Sequence, residues 1–263
     1  MNEAELVLTH VLNCDRLSLY LNQGRDLSKD KAALISAILG RRAKGEPVQY
    51  ILGQTEFMGL EFKVDRRVLI PRPETEILVE VALKIVKAAG IASPKILDLG
   101  TGSGCIAVSL AKNIPQGRVS ASDISLQALE LARENADLHQ VSIAFIQSNL
   151  FTSLGKEGFD LIVSNPPYVA TFELSTLARE IAFEPALALE GGQDGLDFYR
   201  RISNQAAGYL QAGGFLILEI GLGQREPIEN MLINSKNFEI IEIVKDYNNI
   251  ERVIVARNLK ING

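Results

Sequence analysis

The feature that most constrains the fold of this chain is a regular alternation of short apolar runs and helical runs from residue 94 onward. The expected strands are residues 95–99, 118–122, 142–147, 160–164, 215–220, 238–244 and 251–256. The expected helices between them are residues 105–112, 125–137, 196–210 and 226–234. Such alternation predicts an α/β fold whose mostly parallel sheet is covered by helices on both faces. The last two strands flank turn-forming residues and are expected to pair antiparallel.

The residues before the sheet divide into two further parts. Apolar residues recur at helical spacing through residues 1–52, which predicts a small helical domain. Residues 53–70 change to the period of strands around a glycine, which predicts a linking β-hairpin. A helix is expected from about Pro71 to Ala89, because proline and acidic side chains favour a first helical turn. That helix would open the largest domain, residues 71–263.

The composition is that of an ordinary soluble globular protein, with 47% hydrophobic and 22% charged residues. The formal net charge is −5, so the totals give no sign of the basic face that non-specific binding to duplex DNA requires. Cys14 and Cys105 are far apart in the sequence, with no CxxC motif and no partner histidine, which argues against a disulfide framework and a zinc site. No signal-peptide pattern and no apolar run of about 18–20 residues is present. We therefore expect a soluble, cytoplasmic protein with no membrane partner.

One predicted strand ends in a sequence suited to gripping an amino group. Asn165-Pro166-Pro167-Tyr168 follows the strand at residues 160–164 directly. Each proline fixes its own φ at about −65° and moves the preceding residue away from helical geometry, so the exit is rigid and extended. It holds one carboxamide and one aromatic ring in fixed places, with bare carbonyl oxygens between them. A carboxamide oxygen beside exposed carbonyls can accept hydrogen bonds from an NH2 group.

A glycine-rich loop joins the first of these strands to the helix after it. Asp98 lies at the end of the strand, and glycines occupy positions 100, 102 and 104. Glycine lets the backbone adopt positive φ and approach a ligand closely. The dinucleotide pattern G-x-G-x-x-G has its third glycine one residue later, where this chain has Cys105. Asp123 ends the second strand, where a carboxylate can accept from ribose hydroxyls, so the pair of features indicates a nucleoside cofactor, with Asp98 available to an ammonium group.

These motifs resemble those of a known family. Residues 98–104 look like the cofactor loop of class I S-adenosylmethionine (AdoMet)-dependent methyltransferases, and residues 165–168 are similar to the motif of those that methylate planar amino nitrogens. Within this group the chain resembles the PrmC/HemK family, the release-factor glutamine N5-methyltransferases, over nearly its whole length. The other matching segments are residues 47–53, 70–76, 183–185 and 251–253. The resemblance implies a Rossmann-like, doubly wound, seven-stranded sheet of the class I methyltransferase type.

The same resemblance implies a cofactor site for S-adenosyl-L-methionine. Its methionine part would be wrapped by the loop residues Gly100, Thr101, Gly102, Ser103 and Gly104. Asp123 would hold the ribose, and Asn165 would lie beside the cofactor. Asn149-Leu150 stands where relatives have aspartate followed by an aromatic residue. The adenine amino group would therefore meet a neutral acceptor instead of a carboxylate.

The implied catalytic residues are Asn165, Pro166 and Tyr168. The side-chain oxygen of Asn165 and the carbonyl of Pro166 would accept the two N–H bonds of a substrate amide, and Tyr168 would pack against its plane. Pro167 completes the substrate site, and Arg72 and Glu74 belong to a segment that lines the active site in relatives. Such a site works by orientation and electrostatics, without a covalent intermediate or a metal.

The implied function is methyl transfer from AdoMet to the side-chain amide nitrogen, N5, of the glutamine in the Gly-Gly-Gln motif of class 1 peptide chain release factors. The N-terminal helices would grasp the release factor, no direct nucleic-acid contact is expected, and the chain is expected to be a monomer. One alternative is a methyltransferase for exocyclic amino groups of bases in DNA or RNA, which usually carries a basic surface. Another is a catalytically silent cofactor-binding subunit, against which the intact motifs argue.

Four other features have simpler structural interpretations. His10 and His139 are isolated, which favours packing or surface roles over catalysis. Gly191-Gly192-Gln193 repeats the tripeptide that the family methylates, and we interpret it as a turn. Phe57 and Phe62 are expected to pack in the interior. Glu219 follows an apolar strand and suits a satisfied strand-end carboxylate as well as it suits a site residue.

Overall fold

The computed structural model describes residues 2–21, 27–156 and 158–260. Its N-terminal elements are the helices α1 (Glu3–Leu12), α2 (Arg16–Leu21), α3 (Lys29–Arg42) and α4 (Val48–Leu52). A capping box begins α1, since Asn2 and Glu5 bond to each other's backbone N–H. Val7, Val11, Ile38 and Val48 form a small buried cluster between these helices. Helices are therefore present, as predicted, in the described part of residues 1–52, whereas residues 1 and 22–26 of that stretch lie outside the described residues.

A β-hairpin follows, formed by β1 (Gln54–Phe57) and β2 (Leu60–Lys63). Phe57 and Phe62 are buried in the main core, their ring centroids 6.1 Å apart in an edge-to-face arrangement. This confirms the predicted interior packing of both rings. The Asn135 side chain accepts from the Lys63 N–H at 2.8 Å and donates to the Lys63 carbonyl at 3.1 Å. The Asn135 amide thus adds two hydrogen bonds to the apolar contacts that hold the hairpin against the body of the protein.

The remaining elements build the large sheet and its two helical layers. The helices are α5 (Pro73–Ala89), α6 (Cys105–Asn113), α7 (Leu126–Leu138), α8 (Asp197–Gln205) and α9 (Arg225–Asn234). The strands are β3 (Lys95–Leu99), β4 (Arg118–Asp123), β5 (Ile143–Gln147), β6 (Phe159–Ser164), β7 (Leu210–Glu219), β8 (Phe238–Lys245) and β9 (Glu251–Asn258). None of the helices in the described ranges is long and apolar enough to span a bilayer.

Within the described chain the sheet has seven strands in the order β5-β4-β3-β6-β7-β9-β8. The pairs from β5 through β7 are parallel, whereas β9 runs antiparallel to both β7 and β8. Buried side chains of α5 and α6 share one core cluster on one face of the sheet, and those of α8 and α9 share the other. This confirms the predicted doubly wound, mostly parallel fold.

One boundary differs clearly from the sequence prediction. The helix expected to reach residue 210 ends at Gln205, and β7 begins at Leu210 instead of residue 215. Leu210 already pairs with Phe159, and the register then shifts before Leu161 pairs with Phe215. Gly213 has a φ of +72°, and a Cβ on Gly214 would lie 3.1 Å from the Asp160 carbonyl oxygen. The glycine pair therefore makes an irregularity within the strand and not a turn before it.

Candidate functional site

The carboxyl ends of the parallel strands open into a cavity of about 440 Å³. Parallel α/β sheets bind ligands at this edge, where the strand order reverses. The sequence-predicted residues that line the cavity are Arg72, Gly100, Thr101, Gly102, Ser103, Asp123, Asn149, Leu150, Asn165, Pro166 and Pro167. The glycine loop and the Asn-Pro-Pro segment therefore face one common space.

Three predicted site residues do not line this cavity, namely Glu74, Gly104 and Tyr168. A Cβ on Gly104 would lie 3.0 Å from the Cβ of Ala132, so this glycine lets the loop pack against α7. The ring of Tyr168 packs against the core cluster beneath the sheet edge. Burial raises the pKa of Tyr168 to about 12, which keeps the phenol neutral.

The glycine loop is shaped by its own backbone. Gly100, Gly102 and Gly104 have φ values of +79°, +54° and +81°. The N–H groups of Gly100 and Thr101 both donate to the Ser122 carbonyl, which ties the loop to β4. Chain neighbours aside, no atom of the described residues lies within 4 Å of the point where a Cβ would stand on Gly100 or Gly102. The positive φ values explain these glycines, and the space beside them is open to a ligand.

Asp98 is buried behind this loop. It is 0% exposed, and its Oδ2 accepts from the Thr101 hydroxyl at 2.6 Å. Its Oδ1 has no hydrogen-bond partner in the described residues. Burial raises the pKa of Asp98 to about 7, against the effect of the Thr101 bond. The side chain is absent from the cavity lining, so its observed contact is with the loop and not with an open ammonium site.

Asp123 supports the loop from the end of β4. Its Oδ2 accepts from the N–H of Gly102 and its Oδ1 from the N–H of Ser125, each at 2.9 Å. Burial raises the pKa of this carboxyl, and the two backbone bonds oppose that rise. Each carboxylate oxygen keeps further lone pairs. Because Asp123 also lines the cavity, it can still accept from a ligand hydroxyl.

Asn149 has an unforeseen partner. Its Oδ1 accepts from Nη2 of Arg201 at 2.6 Å, and the Arg201 guanidinium lies 5.8 Å from the ring centroid of Phe198. Arg201 and Phe198 both line the cavity. They lie on α8, more than forty residues after Asn149, and no local motif marks them. Sequence reasoning missed both for that reason.

The Asn-Pro-Pro exit is held from several sides. Nδ2 of Asn165 donates to Oγ1 of Thr75 at 3.0 Å, and the Gln224 amide donates to the Tyr168 carbonyl at 3.0 Å. A Cβ on Gly191 would lie 2.8 Å from the Pro167 carbonyl oxygen, so glycine is needed there for close packing. The Gly191-Gly192 pair thus has a structural explanation in this chain.

Arg72 anchors a second wall of the cavity. Its guanidinium pairs with the Glu184 carboxylate at 2.6 Å, and the Glu184 side chain is 1% exposed. Glu184 also accepts from the N–H of Ile70 at 3.3 Å. Burial raises the pKa of Glu184, and Arg72 opposes that rise. Residues 70–72 and 183–185, two segments noted in the sequence, therefore meet through this pair.

Other candidates lie away from the cavity. The Nε2–H of His139 donates to the Glu61 carbonyl at 2.6 Å, and its ring lies tilted against that of Phe62, while His10 is exposed. In the described ranges, no group of three or more histidine, cysteine or acidic residues could hold a metal ion. Thr75 and Glu219 are buried next to Asn165 and were not assigned a role from the sequence.

The sheet order and the glycine loop at its carboxyl edge define a class I methyltransferase. The family model described as "Methyltransferase small domain" matches residues 74–249. A methyltransferase structure from Pyrococcus furiosus has a TM-score of 0.57 and 16% identity, covering 88% of this chain and 98% of that one. The T. thermophilus 16S rRNA N2 G1207 methyltransferase, in complex with AdoMet and guanosine, has a TM-score of 0.55 and 19% identity, covering 78% of this chain and 49% of that one.

The chain belongs to the release factor glutamine methyltransferase family. The protein of that name from Geobacter sulfurreducens is 44% identical over 256 residues, covering 97% of this chain and 88% of the relative. The family model described as "PrmC N-terminal domain" matches residues 1–53. The family resemblance drawn from the motifs is confirmed.

Proposed function

We propose that this chain transfers a methyl group from AdoMet to the N5 amide nitrogen of the glutamine in the Gly-Gly-Gln motif of class 1 release factors. The observation that carries the proposal is that a glycine loop and an Asn-Pro-Pro exit line one cavity in a chain 44% identical to a release factor glutamine methyltransferase. The first feature suits the methyl donor, and the second suits a planar amide.

The residues of the cavity fit AdoMet. Open space beside Gly100 and Gly102 can receive the methionine part, and Asp123 can accept from the ribose hydroxyls. Asn149, Leu150 and Phe198 line the same cavity, where they would hold the adenine between a neutral acceptor and an aromatic face. A bound AdoMet supplies an electrophilic methyl group on a sulfonium. The chain's residues then need only bind, orient and desolvate the two reactants.

Asn165 and Pro166 act on the substrate amide. An amide nitrogen is a poor nucleophile because its lone pair is delocalised into the carbonyl. Oδ1 of Asn165 and the Pro166 carbonyl accept the two N–H bonds, which turns the nitrogen lone pair toward the methyl donor. Pro167 keeps the exit extended, and Tyr168 supports it by packing its ring against the core, not against the amide plane as the resemblance implied. Arg72 shapes the substrate side through its pair with Glu184, and Glu74 lies on the same helical turn.

The division of labour along the chain is part of the proposal. Residues 1–52 recognise the release factor, residues 53–70 link the parts, and residues 71–263 carry the methyl-transfer chemistry. The enzyme acts as a cytoplasmic monomer and needs no nucleic acid, in agreement with a formal net charge of −5.

The experiment is a transfer assay with labelled AdoMet and three substrates in separate reactions. These are a class 1 release factor, duplex DNA and ribosomal RNA, and the labelled atom is located by mass spectrometry. Label on the glutamine of Gly-Gly-Gln is expected, and a release factor with alanine at that position should stay unlabelled. Label on nucleic acid alone would refute the proposal in favour of a nucleobase methyltransferase.

A further inference from the structure

The side-chain amide of Asn165 is held by its nitrogen. Nδ2 donates to Oγ1 of Thr75 at 3.0 Å, and the Glu219 carboxylate lies close enough to both Thr75 and Asn165 for their polar hydrogens to lower its pKa. Thr75 is 3% exposed and Glu219 is 2% exposed, so these contacts are shielded from water. Across residues 2–21, 27–156 and 158–260, no group bonds to Oδ1 of Asn165. The amide nitrogen therefore points into the protein and the oxygen is left for the cavity.

Three separate elements bring these groups together. Thr75 lies in the first turn of α5, Asn165 follows β6, and Glu219 ends β7. Strands β6 and β7 are paired, with Ser164 opposite Leu218, so the residues that follow those two are neighbours at the sheet edge. The Tyr199 hydroxyl donates to the Glu219 carbonyl at 2.8 Å and fixes the end of β7.

Glu219 decides the direction of the hydrogen bond between Thr75 and Asn165. A threonine hydroxyl can donate one hydrogen and accept others, whereas an ionised carboxylate, the form that Glu219 takes above about pH 7, can only accept. When Glu219 takes the hydroxyl hydrogen, Oγ1 of Thr75 can only accept, and its partner on Asn165 must be Nδ2. Without the carboxylate, Thr75 could donate to Oδ1, and the amide could turn its NH2 group to the cavity. An NH2 group there would face the N–H donors of a substrate amide with another donor.

We infer that Glu219 is a positioning residue that, through Thr75, keeps the oxygen of Asn165 facing the substrate amide. The inference rests on the proposed function, because it names what holds the acceptor of that reaction. A second observation supports it: Oε2 of Glu219 is buried with no hydrogen-bond partner in the described residues. Burying an oxygen without a hydrogen-bond partner destabilises the fold, whereas an apolar side chain at this position would not have that cost. Packing alone therefore does not explain why position 219 is a glutamate.

The test compares Thr75→Val, Thr75→Ser and Glu219→Gln with the parent chain. Valine keeps the shape of threonine without its hydroxyl, serine keeps the hydroxyl, and glutamine keeps the shape of glutamate but can donate. Glu242→Gln is the matched control, because it makes the same change in an exposed pair with Lys84. The readouts are kcat and KM with a release factor, the Kd of AdoMet by calorimetry, and exchange of the Asn165 side-chain amide protons by NMR.

At pH 8, where Glu219 is ionised, we expect kcat to fall roughly tenfold or more in Thr75→Val and Glu219→Gln, with Thr75→Ser close to the parent. The Kd of AdoMet should stay within about twofold, because the cofactor loop is untouched. Exchange of the Asn165 amide protons should be slow in the parent and faster in Thr75→Val. If Thr75→Val does not fold, Glu219→Gln and Thr75→Ser decide the matter.

Parental kcat in both Thr75→Val and Glu219→Gln would overturn the inference, and so would fast exchange of the Asn165 amide protons in the parent. A parent that methylates no release factor would instead defeat the proposed function. The exchange measurement needs no turnover and would still decide the orientation of Asn165.

Discussion

Arg72 and Glu184 form an ion pair at 2.6 Å in which the arginine is one-third exposed and the glutamate side chain is 1% exposed. The pair joins the segment before α5 to the segment that carries Pro185, and residues from both line the cavity. This wall of the site therefore depends on an ion pair in which the carboxylate is buried and the guanidinium is partly exposed.

Replacing Arg72 alone should lower the free energy of unfolding more than replacing both Arg72 and Glu184. Arg72→Met leaves the Glu184 carboxylate buried without its counter-charge and should lower the free energy of unfolding by about 3 kcal/mol. The double variant Arg72→Met/Glu184→Leu should recover part of that loss. Urea unfolding measures both, and Arg225→Met, at a more exposed pair with Glu251, is the control and should cost less than about 1 kcal/mol. An equal, small effect in the two arginine variants would contradict this account.

Asn165→Ala should abolish most methyl transfer while leaving the fold intact. The side chain supplies a hydrogen-bond acceptor at the reacting nitrogen, and loss of one such group lowers kcat by about 10²–10³-fold. Turnover on a release factor is the measurement, with circular dichroism and AdoMet calorimetry as controls for folding and cofactor binding. Near-normal turnover would remove Asn165 from the mechanism.

Asp123→Ala should weaken AdoMet binding by about 1.5–3 kcal/mol, the usual range for hydrogen bonds to a charged group. Part of the loss comes from the Gly102 N–H, which the carboxylate also fixes. Isothermal calorimetry gives the Kd. Asp137→Ala, at an exposed position on α7, should leave it unchanged. Equal affinities in the two variants would mean that the ribose lies elsewhere.

Asn149→Asp should tighten AdoMet binding by about 1 kcal/mol. The carboxylate would pair with Arg201 and still accept from the adenine amino group, and charge-assisted hydrogen bonds are about twice as strong as neutral ones. Arg201→Met should weaken AdoMet binding, because Asn149 loses the partner that orients its side chain. Calorimetry with AdoMet and with S-adenosylhomocysteine separates this effect from any effect on the methyl group. Looser binding of both ligands by Asn149→Asp would rule the account out.

The free energy of unfolding should depend on pH between about pH 4.5 and 7 because of the protonation of Glu219. Burial raises its pKa from 4.5 to about 7, so the folded state binds a proton that the unfolded state has released in this window. This contribution to stability is complete below pH 4.5 and is lost as the pH rises through about 7. The charged and titratable groups that face Glu219 are Arg252 on β9, Glu74 on α5, Tyr168, Tyr199 on α8 and Cys105 on α6.

Glu219→Gln removes that titration. Relative to the parent, its free energy of unfolding should rise from pH 5 to pH 7.5, as measured by urea unfolding at each pH. Glu242→Gln should show no such trend. A constant difference between Glu219→Gln and the parent across this range would show that Glu219 does not titrate there.

The sequence allowed the fold to be predicted because its signals are local. Each strand of the sheet is a short apolar run, and the loop and the Asn-Pro-Pro exit are contiguous motifs at strand ends. The predicted start of β7 was wrong because two consecutive glycines, Gly213 and Gly214, ordinarily indicate a turn. Only the pairing of Leu210 with Phe159 shows that these glycines lie inside an irregular strand. Arg201 and Glu219 could not be assigned because their roles come from neighbours on other elements.

The position of β9 has a consequence for biosynthesis. Among the described strands β9 is translated last, yet it lies between β7 and β8, and its Val253 pairs with Glu219. During synthesis, one edge of β7 therefore stays unpaired until β9 is made, and until then Glu219 has no strand beside it on that edge. The ribosome must release β9 before the part of the site at the end of β7 can reach its folded structure. A methyltransferase with this strand order would thus become competent only after β9 has been made.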